Sequence, residues 1–178
     1  MLLGEPATDL FGLCSFVTMP KRTRPRSIDF TTASHEELDQ YGMETLVFGA
    51  PEISSILRGH LLIERTIETL IAKNLSKPKK FFDNHRVTFE MKVALADAMG
   101  VLPPPYVSAA KALKNIRNAY AHREDHAITV EELNSLKIEW DPLQKKAYAV
   151  ALTKGPEEAA QIAIIFLNWS FLRLIHPD

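Results

Sequence analysis

The sequence predicts an all-α protein, a helical bundle of about four to six helices. Apolar residues recur at spacings of three and four along several long segments, and no segment of any length alternates apolar and polar residues as a half-buried strand does. The 11 prolines and 7 glycines fall mostly between these segments, where they mark helix boundaries. With 178 residues, of which 46 % are hydrophobic and 24 % charged, the chain has the size and composition of one compact domain.

Residues 1–30 are predicted to form an N-terminal arm, because they lack a helical repeat and include a basic run at residues 21–26. This run is interpreted as a solvated segment, with a contact to nucleic acid as the alternative. Residues 31–178 are then a single helical domain. The only cysteine, Cys14, cannot form an intrachain disulfide or a cysteine zinc cluster, which favours a reducing cytoplasm.

The sequence contains two apolar stretches, residues 10–17 and residues 162–175. The first follows Glu5 and Asp9 instead of the basic residues that begin a secretory signal. The second is only 14 residues long and is interrupted by polar residues, whereas a bilayer needs about 20. No membrane association is therefore expected, and the predicted location is cytoplasmic.

The first two helices are predicted from their starting residues. Ser34 and Glu37 have the spacing of a capping box, which predicts a short helix from Ser34. Pro51 suits a first helical turn, and the apolar residues after it keep helical spacing to about Leu75. A lysine-rich Lys-Pro-Lys-Lys sequence then ends this long helix.

The next two helices flank a run of prolines. Residues 86–99 carry one apolar stripe, and Gly100 stands where a left-handed residue ends a helix. The three prolines after Leu102 cannot continue that helix. Another helix is predicted from about Tyr106 to the region of His122.

The C-terminal part carries a further capping box and one long helix. Thr129 and Glu132 supply the capping box, and residues 156–175 fit a helix. Residues 136–152 suit either short strands or helix, so the predicted bundle allows a short β-like segment there.

Common catalytic and phosphate-binding templates are absent from the sequence, which has no glycine-rich phosphate loop, His-Glu-x-x-His, Gly-x-Ser-x-Gly or Cys-x-x-Cys. What remains is a dense polar cluster at residues 114–123. Arg117 offers a permanently charged fork that suits a phosphodiester, and His122 can exchange a proton near neutral pH. Together they suit metal-independent cleavage of an RNA phosphate.

Helix geometry sets a condition on this pair. Five residues of ideal helix separate the Arg117 and His122 side chains by roughly 140°, so they cannot meet on one straight face. They converge only where the helix ends or distorts, or where two copies share a cleft. The purely structural alternative pairs Arg117 with a carboxylate such as Glu64, bonds Asn118 to backbone, and places His122 as a cap at the helix C-terminus.

Arg117-Asn118-x-x-x-His122 is similar to the signature of the HEPN superfamily (higher eukaryotes and prokaryotes nucleotide-binding). Over about residues 51–135 the order of segments resembles the branch that includes the mannitol operon repressor family. It comprises a long amphipathic helix, then Phe-x-Met-Lys-x-Ala-x-Ala-x-Ala-Met-Gly-Val-Leu, then a helix ending Lys-Asn-Ile-Arg-Asn-x-Tyr-Ala-His. The resemblance implies an all-α HEPN-like domain that forms a homodimer, with the motif helices facing each other.

HEPN proteins with an intact motif are often metal-independent endoribonucleases of toxin–antitoxin pairs or antiviral defence. The resemblance therefore implies an RNA substrate, no cofactor, and an antitoxin or regulatory partner protein. Arg117 would hold the scissile phosphate, Asn118 would orient a side chain or backbone, and His122 would act on the 2′-hydroxyl or the leaving oxygen. Because the motif of the mannitol repressor is degraded, the alternative is a noncatalytic transcriptional regulator of that type or a protein-binding helical module.

Four further residues are assigned to this site. Glu64, with His60 one turn before it, is expected to face the motif helix as a supporting acid, and a partly buried ion pair is the alternative. Tyr120 is a supporting residue for base stacking, with a place in the core as its alternative. Lys114 and Arg123 are expected to contact RNA.

The sequence predicts no metal site, and its charges are unevenly distributed. His122 and His126 have the spacing of zinc ligands, but no third ligand is evident, so no metal is expected. The net charge of −1 hides an uneven distribution, because residues 51–127 carry 12 basic and 8 acidic side chains, a net charge of +4. The positive excess lies in the segment that contains Arg117 and His122.

Overall fold

The computed structural model describes residues 28–47, 54–84, 86–122 and 128–176, and over these residues it contains eight α-helices and no strand. The helices are α1 (His35–Val47), α2 (Ser55–Asn74), α3 (Pro78–Asn84), α4 (Phe89–Ala98), α5 (Pro104–His122), α6 (Val130–Asn134), α7 (Pro142–Lys154) and α8 (Pro156–Ile175). The predicted all-α class is confirmed. The described residues form two helices more than the upper limit of the predicted four to six, and the additional helices are α3 and α7.

Local hydrogen bonds show where α1, α2 and α6 begin. The Ser34 hydroxyl accepts the Glu37 N–H at 3.3 Å, and the Glu37 carboxylate accepts the Ser34 N–H at 2.9 Å, so the capping box of α1 is confirmed. The capping box of Thr129 and Glu132 at α6 is also confirmed. Pro51 does not start α2, because the hydroxyl of Ser54 accepts the Leu57 N–H and makes Ser54 the N-cap.

The helices on either side of the prolines are close to their predicted bounds. Thr88 caps α4, so this helix begins three residues after the predicted Arg86. It ends at Ala98 with Met99 as its C-cap, and Gly100 follows with a φ of 70°, the left-handed conformation predicted for it. Pro104 and Pro105 lie in the first turn of α5, where a missing N–H costs no helical hydrogen bond.

The β-like segment allowed for residues 136–152 is not found. Asp141 and Gln144 form a capping box, and Pro142 occupies the first turn of α7, which runs to Lys154. The last helix, α8, has the bounds predicted for it. The N-terminal arm up to residue 27, including Cys14 and the basic run at 21–26, lies outside the described residues.

The core is organised around α8. This helix packs most extensively on α2 and also on α7 and α1, while α2 packs on α4 and α5 as well. By length and composition α8 is apolar enough to cross a membrane, but 67 % of its most apolar window is buried in the fold, as in the core helix of a soluble protein. Close packing of α2 on α8 occurs at Gly59, because a β-carbon there would overlap the Cγ2 methyl of Ile164.

Candidate functional site

The polar cluster predicted from the sequence lies where α5 meets α2 and α4. On α5 an apolar stripe enters the core, and it comprises Val107, Ala109, Ala110, Leu113 and Ile116. Lys114, Arg117 and Asn118 lie at the edge of this stripe and are half-buried. The buried stripe therefore fixes the rotation of α5 and holds these polar side chains at the border between core and solvent.

Arg117 is held by its neighbour in the chain. Its Nη1 donates a hydrogen bond to Oδ1 of Asn118 at 2.9 Å. Among the described residues no carboxylate lies within ion-pair distance of Arg117, so the pairing with Glu64 considered above is not formed. A guanidinium has five N–H donors, and this hydrogen bond uses one of them.

Glu64 is part of a different ion cluster. Lys92 of α4 reaches across to α2 and contacts the carboxylates of Glu64 and Glu68, each at 2.6 Å. Burial alone would lower the pKa of Lys92, but the hydrogen bonds to Glu64 and Glu68 outweigh it and raise that pKa. Glu64 is thus in the partly buried ion pair given as its alternative, and Lys92 joins α2 to α4.

Replacing Lys92 with methionine is expected to lower the free energy of unfolding by about 2 kcal/mol. Methionine fills the space of the lysine stem but leaves two carboxylates without their cation, which is costly for partly buried groups. Glu68 is 38 % exposed, and this solvent contact keeps the loss below that of a fully buried pair.

Urea denaturation measures this effect, and Lys111→Met is a matched control, because Lys111 is exposed on α5. The control is expected to stay within about 0.5 kcal/mol of the wild type. An equal stability of the two variants would show that Lys92 does not join the helices.

Lys114 also forms an ion pair, with Glu90 of α4. A hydrogen bond from Lys114 is the main cause that lowers the pKa of Glu90. Its ammonium is therefore already engaged within the chain, although the side chain is 29 % exposed. Any contact of Lys114 with RNA would have to compete with this pair.

The remaining predicted residues lie at the end of α5. Tyr120 is 42 % exposed, so it is not a core residue. The structure describes α5 as helical up to His122, so no break in the helix separates Arg117 from His122, and within one copy the condition for their convergence is not met. The side chain of His122, together with Arg123 and His126, lies outside the described residues.

His60 of α2 also belongs to this cluster, a role that was not predicted from its place one turn before Glu64. It is buried, and its ring packs on that of Phe89 with centroids 4.4 Å apart. Burial is the main cause that lowers the pKa of His60, Glu64 opposes this effect, and Arg117 adds to it. A sequence signal existed, because His60 falls on the apolar stripe of α2, four residues from both Ile56 and Glu64.

The fold and the site together define an all-α bundle protein with a half-buried guanidinium at the junction of three helices. No family model, no curated protein and no solved structure matches the chain.

Proposed function

We propose that the protein is a homodimeric, metal-independent endoribonuclease of the HEPN type, in which Arg117 binds the scissile phosphate and His122 transfers a proton. The observation that carries this proposal is the environment of Arg117 in the fold. It is a half-buried guanidinium with no carboxylate partner among the described residues, and it lies on α5, the helix that also contains His122. Such a group suits a phosphodiester, because planar N–H donors match the oxygens of phosphate.

The proposed reaction needs one proton acceptor and one proton donor. The 2′-hydroxyl loses its proton and attacks the adjacent phosphorus, and the bond from phosphorus to the 5′-oxygen breaks. The leaving oxygen takes up a proton, which gives a 2′,3′-cyclic phosphate and a 5′-hydroxyl. His122 carries out one of these transfers, and Arg117 stabilises the charge that develops on the phosphate oxygens.

A dimer completes the proposed site. Within one straight helix Arg117 and His122 point roughly 140° apart, so a second copy facing α5 supplies the missing partner. The net charge of +4 over residues 51–127 supports an anionic substrate, because pairing two such segments doubles the local positive charge. We further propose that the enzyme is a cytoplasmic toxin or defence effector whose activity a partner protein holds in check.

The proposal is tested by incubating the purified protein with total RNA in EDTA. The wild type is expected to cut RNA and leave 2′,3′-cyclic phosphate ends, and His122→Ala is expected to be at least about 100-fold slower. His35→Ala is the matched control, because His35 is an exposed histidine on α1, and this variant should cut like the wild type. Intact RNA with the wild type, or equal cutting by His122→Ala, would contradict the proposal.

A further inference from the structure

We propose that His60 is a positioning residue of this site, a buried imidazole that takes up a proton when a phosphate group binds at Arg117. The inference deepens the proposed function and rests on it, since it takes the ligand of Arg117 to be a phosphate group of RNA. The inference concerns anion binding, whereas the proposed function concerns RNA cleavage, so the two proposals can be tested separately.

The surroundings of His60 are unusual for a structural histidine. Its side chain is 6 % exposed, and its ring lies against Phe89 at an interplanar angle of 39°. The Nε2 atom is fully buried, yet none of the described residues offers it a hydrogen-bond partner. Because a buried polar atom without a partner is costly, this position invites a functional explanation.

Charged groups on all three helices of the junction act electrostatically on His60. Glu64 comes from α2, Glu90 and Lys92 come from α4, and Arg117 comes from α5. Glu68 and Lys114 are ion-paired to members of this set. The six groups, three acidic and three basic, balance when His60 is neutral: Glu64, Glu68, Glu90, Lys92, Lys114 and Arg117.

This charge balance predicts how anion binding at Arg117 and protonation of His60 affect each other. Burial disfavours the charged imidazole, and the nearby Arg117 and Lys92 disfavour it further, so the free protein holds His60 neutral at pH 7. A phosphate on Arg117 adds one negative charge and offsets the repulsion between the guanidinium and a protonated ring. The pKa of His60 therefore rises on binding, a proton is taken up, and affinity for the anion increases as the pH falls.

The first test follows the His60 ring by NMR as the pH is changed, with and without sulfate, at constant ionic strength. Sulfate is a suitable probe because it has the tetrahedral oxygens of a phosphate group, is an anion, and does not titrate near neutral pH. We expect sulfate to move the midpoint of the His60 titration to higher pH in the wild type. Arg117→Ala is expected to abolish this movement, whereas Arg173→Ala, which changes an exposed arginine on α8, should retain it.

The second test measures proton uptake on binding of a 2′-O-methyl oligoribonucleotide, which cannot be cut through its 2′-oxygen. Calorimetry in buffers of different ionisation enthalpy gives the number of protons. One proton per site corresponds to affinity rising by up to about tenfold for each pH unit lowered. His60→Phe retains the ring packing on Phe89 without a titrating nitrogen and should lose this proton, whereas His35→Ala, which removes an exposed histidine on α1, should keep it.

The outcomes separate this inference from the nuclease proposal. A His60 titration that sulfate does not move in the wild type overturns the inference, and so does full proton uptake by His60→Phe. The wild-type NMR measurement decides the question even where His60→Phe fails to fold. If sulfate shifts the His60 titration but the protein leaves RNA intact, His60 is still linked to anion binding and the nuclease proposal is rejected.

Discussion

Replacing Gly59 with alanine is expected to lower the free energy of unfolding by about 2 kcal/mol. Alanine is the better helix former by about 1 kcal/mol, so propensity alone predicts stabilisation. The added β-carbon, however, would overlap the Cγ2 methyl of Ile164 at the contact between α2 and α8. Ile164 is β-branched and buried, so it cannot turn away, and forcing the helices apart costs about 3 kcal/mol.

Thermal and urea denaturation measure this loss, and Leu61→Ala serves as the control on the same helix. Leu61 is 57 % exposed, so its truncation should change stability little. The double variant Gly59→Ala with Ile164→Ala removes the overlapping methyl, and it should be more stable than the sum of the two single effects predicts. Strict additivity would show that Gly59 is not a point of close helix contact.

Replacing Arg117 with alanine is expected to slow RNA cleavage by about 10²–10³-fold, because it removes the donors that face the phosphate in the proposed reaction. Stability should change by less than about 0.5 kcal/mol, since Arg117 forms no ion pair among the described residues. Arg117→Lys should recover only part of the rate, because an ammonium keeps the charge but lacks the planar fork.

Initial rates on a labelled RNA measure this effect, beside unfolding curves for every variant. Arg173→Ala is the matched control, because Arg173 is exposed on α8, away from the junction. It should cleave at the wild-type rate. A loss of activity in Arg117→Ala that matches a loss of stability would point to misfolding instead of catalysis.

Local hydrogen bonds explain which parts of the fold the sequence predicts well. The box of Ser34 and Glu37 and the left-handed Gly100 each need only residues a few positions apart. The start of α2 was predicted wrongly because Pro51 and Ser54 are both good starting residues, and only the actual bond to Leu57 distinguishes them. The seven-residue α3 is too short to show a helical repeat.

The candidate site was less predictable, because ion pairing depends on helices that are distant in sequence. Glu64 has several basic residues within plausible reach, and spacing alone could not show that Lys92 of α4 takes it instead of Arg117. The burial of His60 depends likewise on Phe89, which belongs to another helix. The residue types therefore predict that a polar cluster exists. The partner of each residue, in an ion pair or in packing, can be identified only from the packed bundle.

The central position of α8 also has a consequence for the order of events on the ribosome. Every apolar face that α1, α2 and α7 turn towards α8 stays uncovered until residues 156–175 have been synthesised. Growing chains therefore hold exposed apolar surface through most of their synthesis, a state that is prone to aggregation and that chaperones protect. The core around α8 can therefore form only after residues 156–175 have left the ribosome.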